Sequence, residues 1–144
     1  MSYLLLAPGK QRKRPESPFH VWIIGEDERW LEFYRLGTGF LLRFPGLADF
    51  TMTDAGTDIT CRPVTGVSAA TIEHLYLNQI LPLAQNAAGA LSFHGSAVVI
   101  EDFAIAFLGP SGRGKSTLAA SFAVKGQAFL TDDGLITEER NGTY

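Results

Sequence analysis

The sequence holds a single cysteine, Cys61, in 144 residues. One thiol excludes an internal disulfide and any multi-cysteine metal centre, and it fits a reduced, cytoplasmic setting. Long hydrophobic runs are also lacking. Stretches such as Ala97–Ile100 and Phe103–Leu108 fall far short of the ~20 residues that span a bilayer, so no membrane partner is expected. Met1–Ala7 is apolar, but the basic run Gln11–Arg14 follows it instead of preceding it, the reverse of a secretory signal. Basic charge is not in excess. With 12 Lys and Arg against 15 Asp and Glu, the net charge is -3, which argues against nucleic acid as a partner.

What is present is an ordinary globular mix, 46% hydrophobic and 19% charged, with enough apolar surface to pack a core. The length suits one domain, or one domain and part of another. The first two-thirds is β-rich. His20–Ile24, Trp30–Leu36, Phe40–Phe44, Phe50–Thr53 and Ile59–Val64 are short aromatic and β-branched runs. Gly25-Glu26-Asp27-Glu28, Gly37-Thr38-Gly39, Pro45-Gly46 and residues 54–58 punctuate them. Such spacing predicts an antiparallel meander with a core of aromatics. Met1–Ala7 reads as a first strand and Gln11–Arg14 as a solvated basic turn.

Ser68 is placed to cap a helix, with Glu73 able to reach back to its first turn. Ile72, Leu75, Tyr76, Gln79, Ile80 and Leu83 recur at helical spacing. Pro82 is expected to interrupt this helix, because it has no N–H to give the Asn78 carbonyl. From Leu91 the texture changes. Leu91–Ile100 and Phe103–Leu108 are dense apolar runs consistent with strands buried on both faces. A helix over Ser116–Lys125 stops at Gly126, and strands follow at Ala128–Thr131 and Leu135–Glu138. The expected organisation is therefore a β-rich region over residues 1–66, a linking helix over 67–90 and an α/β core over 91–144.

The core carries the chemistry. Gly109-Pro110-Ser111-Gly112-Arg113-Gly114-Lys115-Ser116 matches G-x-x-x-x-G-K-[ST] at every fixed position, between a predicted strand and a predicted helix, as a phosphate loop requires. Gly112 and Gly114 let successive backbone N–H groups turn toward phosphate oxygens, and the helix adds its positive end. Lys115 is positioned to reach the β- and γ-phosphates, the Ser116 hydroxyl to ligate Mg²⁺, and Thr117 completes the phosphate-binding run. The implied cofactors are ATP and Mg²⁺.

The helix from Ser116 covers ~15 Å at 1.5 Å per residue, and the strand after it covers ~16 Å at 3.3 Å per residue. These lengths nearly cancel. A right-handed βαβ crossover would then return Asp132 and Asp133 to the level of the loop, at the carboxyl ends of parallel strands. One carboxylate there can support the metal while the other accepts a proton from an attacking hydroxyl. The competing reading is a bare Asp-Asp-Gly turn. If Glu101-Asp102 forms a two-residue hairpin loop, Ile100 pairs with Phe103 and His94 falls opposite Gly109, at the mouth of the loop. Glu-Asp is not a favoured hairpin pair, so a register slip of one residue is the alternative. His20 and His74 have no such neighbours and read as structural.

Together, His94-Gly95, the loop Gly109–Ser116, Gly126 and Asp132-Asp133 resemble the core of the HPr kinase/phosphorylase family. The resemblance covers about residues 91–138, and the ATP-dependent phosphoenolpyruvate carboxykinases are more distant relatives of that core. It implies a P-loop kinase fold in which Lys115 binds the nucleotide phosphates and Ser116 binds Mg²⁺. It makes Asp133 the proton acceptor for a substrate serine and His94 an active-site residue, and it leaves Asp132 to support the metal. His74–Pro82 resembles the smaller HPr kinase-related proteins, some of which accompany the biosynthesis of modified peptides such as lasso peptides. Family assemblies imply a homo-oligomer. Asn141-Gly142 is a hairpin turn signal followed by two residues, so a returning strand is expected beyond Tyr144, with the family's further metal-binding glutamate and catalytic arginine. The expected function is an ATP- and Mg²⁺-dependent serine kinase acting on a peptide or protein. The alternatives are a nucleotide-binding module without catalysis and a small-molecule kinase or carboxykinase-like enzyme.

Overall fold

Five short apolar runs joined by tight turns can bury one face only by pairing in chain order, and the structure does so. The computed structural model describes residues 3–13 and 17–137. The chain is mixed α/β with strands predominating, and it divides into two units, Met1–Ala88 and Gly89–Tyr144.

In the first unit the strands are β1 (Leu4–Leu5), β2 (His20–Ile24), β3 (Glu28–Leu36), β4 (Gly39–Phe44), β5 (Ala48–Thr53) and β6 (Thr60–Pro63). From β2 to β6 they form the expected antiparallel meander, and β1 adds to β6 in parallel, giving the order β1-β6-β5-β4-β3-β2. Register sets Phe33 beside Leu42, Leu42 beside Phe50 and Phe50 beside Cys61. This row packs with Ile72, Leu75, Tyr76, Ile80 and Ala84 in one core. The helical segment is thus no free link but the second layer of the first unit. Burial pushes the Cys61 thiol up to about 12, which makes it inert as a nucleophile.

The helical segment begins as expected, with the Ser68 hydroxyl accepting from the Thr71 N–H at 3.1 Å. Helix α1 (Ala69–Leu75) passes into a π-helical turn over Tyr76–Ile80 and then into α2 (Leu81–Ala87). The Leu81 N–H returns to the Tyr76 carbonyl, five residues back. The wider turn admits Pro82 near the start of α2, where its missing N–H costs least. At the β5–β6 turn, Gly56 has φ 70° and lies so close to the Ala84 carbonyl that a Cβ would collide with it.

On the opposite face of this sheet the basic segment keeps Arg12 and Lys13 exposed, as expected, but its backbone is anchored to a buried ion pair. Arg43 and Asp49 are cross-strand partners, each 2% exposed. Arg43 gives Nε to Asp49 Oδ1 at 2.7 Å and Nη2 to Oδ2 at 2.8 Å. Gln11 donates to the same carboxylate and to the Phe44 and Ala48 carbonyls, the Arg12 N–H donates to Asp49 Oδ2, and Arg43 donates to the Arg12 carbonyl. Residues 11–12 are pinned across the β4–β5 hairpin because they complete a buried ion pair. Arg14 lies outside the described residues.

The second unit contains β7 (Leu91–Ile100), β8 (Phe103–Leu108), α3 (Lys115–Val124), β9 (Ala128–Thr131) and β10 (Gly134–Thr137). Here β7 is central. It pairs antiparallel with β8 along one edge and with β9 and then β10 along the other. Strands β8 and β9, joined through α3, run parallel to each other with β7 between them. Burial on both faces does not hold for β8, which is exposed at Phe103–Ala106 and at Leu108. Glu138 and Asn141-Gly142 lie outside the described residues. Among the described residues, no helix is long and apolar enough to cross a membrane.

Candidate functional site

The hairpin turns at Glu101-Asp102 without a slip: Ile100 faces Phe103 and Gly95 faces Leu108. Glu101 takes φ 54°, the left-handed conformation that a two-residue loop demands of its first residue. Leu108, beside Gly95, is therefore the last strand residue before the glycine-rich loop, and His94 continues the register toward Gly109.

The loop occupies residues 109–114 and opens directly into α3. Gly112 has φ 77° and Gly114, the residue before the helix, has φ 80°. A side chain at either position would be strained. The Gly114 carbonyl accepts the first helical bond, from Leu118 N at 2.9 Å. The Lys115 ammonium folds over the loop and donates to the Pro110 carbonyl at 3.1 Å. Pro110, Ser111 and Arg113 are exposed while Lys115 is half-buried, and Thr117 lies in the first turn of α3. At the far end of α3, Gly126 N bonds the Ala123 carbonyl and Gln127 N bonds the Phe122 carbonyl, the paired closure that a glycine stop permits.

Strands β9 and β10 follow one line along β7, with Asp132 and Asp133 at the break between them. Thr131 faces Ala97 and Gly134 faces His94, so the two aspartates come beside Ser96 and Gly95. The Gly95 N–H donates to the Asp133 carbonyl at 3.1 Å. Gly95 thus touches the last residue before the loop on one edge and the aspartate pair on the other. The helix and strand lengths cancel as expected. A Cβ at Gly95 would collide with the Phe107 carbonyl oxygen, 2.8 Å away, and with the Leu108 side chain, which explains why the central crossing is a glycine.

The two carboxylates differ in surroundings. Asp132 accepts from the Ser96 hydroxyl at 2.6 Å. Hydrogen bonds from Ser96 and then Ser116 hold its carboxyl below the usual carboxylate range, with smaller help from His94 and Lys115. Asp133 is 82% exposed, and its Oδ1 lies 3.4 Å from His94 Nδ1. His94, Lys115, Ser116, Asp132 and Asp133 are thereby gathered about the middle of β7. His20 packs its ring on Phe33, and His74 sits beside Asn78; both belong to the first unit. Sequence reasoning missed Ser96, which is fully buried. A buried serine inside a strand carries no local signal, because its partner is 36 positions away.

A phosphate-bound Mg²⁺ fits these donors. The Ser116 hydroxyl helps to hold the Asp132 carboxyl low, so the two side chains are near enough to serve one cation together. Among the described residues no group of three or more His, Cys, Asp or Glu gathers to hold a metal. Mg²⁺ commonly binds through one or two protein oxygens, waters and substrate phosphates, and the site offers that number. No protein family, characterised protein or solved structure matches this chain.

Proposed function

We propose that the second unit is an ATP- and Mg²⁺-dependent serine kinase of the HPr-kinase-like type, built on a P-loop core and acting on a peptide or protein hydroxyl. One observation carries the reading: Gly95 stands between the last residue before the glycine-rich loop and the aspartate pair, so phosphate-binding and proton-accepting groups lie at one level on either side of β7. Loop N–H groups and the start of α3 would cradle the phosphates, and Lys115 would leave the Pro110 carbonyl to meet the β- and γ-oxygens. Mg²⁺, held by Ser116 and Asp132, would neutralise phosphate charge. Asp133 would take the proton of the acceptor serine as its oxygen bonds to the γ-phosphorus and ADP leaves. His94, at 3.4 Å from Asp133, would orient that carboxylate.

A second reading, a nucleotide-binding module without transfer, draws on the exposure of His94 and Asp133 at 64% and 82%, since transfer sites usually exclude water. Calorimetric titration with ATP, followed by incubation with γ-labelled ATP and serine-containing peptides, separates the two. Binding with label on peptide serine is expected. Binding without label on any acceptor favours the module, and no binding ends both readings.

A further inference from the structure

The aspartate pair consists of two identical side chains, yet the structure treats them differently. Asp132 sits at the break between β9 and β10, where ladder pairing lapses. A surface carboxylate there would sample several rotamers. It is held by Ser96, which lies on the central strand β7 and is 0% exposed. The hydroxyl donates to Oδ1 at 2.6 Å, within the short range of an O–H···O⁻ bond to an ionised acceptor. Ser116, in the first turn of α3, is near enough to add to the lowering of the Asp132 carboxyl. The Asp133 carboxylate makes a longer contact, 3.4 Å from His94 Nδ1, and both of these side chains are mostly exposed.

We propose that Ser96 is a positioning residue that fixes the Asp132 carboxylate beside Ser116, and so assigns Asp132 to the cation and leaves Asp133 free to move with an acceptor. This role rests on the nucleotide and Mg²⁺ reading above. Ser116 cannot serve as the sole anchor, because its oxygen is needed for the cation. Ser96 is buried in the central strand and its hydroxyl donates to the carboxylate itself, so it holds Asp132 with or without the cation.

The test compares Ser96→Thr with Ser96→Val in the full chain, two side chains of like size that differ by a hydroxyl. A fluorescent ATP analogue, mant-ATP, is titrated without metal and then over a Mg²⁺ series. Loss of an outer partner of a metal ligand weakens metal affinity about tenfold or more. Ser96→Val should therefore need about tenfold more Mg²⁺ for half-maximal tightening, with metal-free mant-ATP affinity unchanged. Ser96→Thr should behave as the unaltered chain. Ser96→Ala, which adds no bulk, should reproduce the valine result and guards against misfolding of either larger variant. Equal Mg²⁺ requirements for all variants, or an equal loss of metal-free affinity, would overturn the role while leaving the nucleotide reading intact. An unaltered chain that binds no mant-ATP overturns the nucleotide reading, and the role falls with it.

Discussion

In the first unit Leu31, Tyr34, Phe44 and Phe50 are at most 1% exposed, whereas in the second Phe103, Leu108, Phe129 and Leu130 are each more than half exposed. Each large apolar side chain fully buried contributes about 1.5–3 kcal/mol, so the meander and its helices hold their form chiefly by burial. The second unit buries Ala97, Val98 and Ala119 among its described hydrophobic residues. Its functional end is shaped instead by hairpin register, two left-handed glycines and a few hydrogen bonds. A phosphate loop needs correct backbone dihedrals more than a deep core, and a thin scaffold can supply those. Substitutions should then divide cleanly: the first unit answers in stability, the second in chemistry.

The largest effect expected is at Asp133. Asn there keeps size and hydrogen bonding but cannot take a proton, and removal of a general base costs about 10²–10⁴ in rate. Asp133→Asn should lower transfer of labelled phosphate to a serine peptide by that factor while ATP affinity stays within a few-fold. Near-normal turnover in the variant would assign the proton to another group.

Asp49→Ala probes the other side of the comparison. It leaves the buried Arg43 guanidinium unpaired, a change that costs about 3–5 kcal/mol. Both tryptophans, Trp22 and Trp30, lie in the first unit, so urea unfolding followed by tryptophan fluorescence reports this loss directly. Replacing the pair together, as Arg43→Met with Asp49→Leu, should cost less, because no charge is stranded. If the single variant unfolds at the same urea concentration as the unaltered chain, the ion pair is not sealed as described.

Lys115→Ala should weaken ATP binding about tenfold or more, from the loss of contacts worth about 1.5–3 kcal/mol. The tryptophan-monitored transition should not move. A shift in that transition would mean that the two units are not energetically separate.

The smallest effect concerns pH. The Asp132 carboxyl is held below its ordinary value of 3.8, so its hydrogen bonds support the fold above that value and are lost as pH falls through the lowered one. Amide exchange at Gly95, whose N–H bonds the Asp133 carbonyl, should quicken only in acid below the ordinary aspartate range, and sooner in Ser96→Ala. Exchange that is flat with pH down to acid unfolding would detach Asp132 from the local structure.

Much of this was legible in the chain. The meander, the Ser68 cap, the Gly126 stop and the Ile100–Phe103 register follow from runs, turns and caps a few residues long. Pro82 announced an interruption, but its form, a π-turn, depended on keeping Tyr76 and Ile80 in the core on either side. The sealing of Arg43 and Asp49 was not legible, because Gln11 and Arg12 complete their bonding from more than 30 positions away. Nor was the order of strands in the second unit, since adjacent parallel strands and strands separated by β7 demand the same helix and strand lengths.

By itself, the sequence determined where the backbone had to turn left-handed, where helices could begin and stop, and that a lysine, a serine and two aspartates would return to one level. These follow from dihedral preferences and per-residue rise, which act within a few residues. Only the tertiary structure decided that β7 runs between β8 and β9, that a basic segment closes a buried ion pair, and that Ser96 distinguishes one aspartate from its neighbour. Strand pairing and burial join residues distant in the chain, and no local preference encodes which of them will meet.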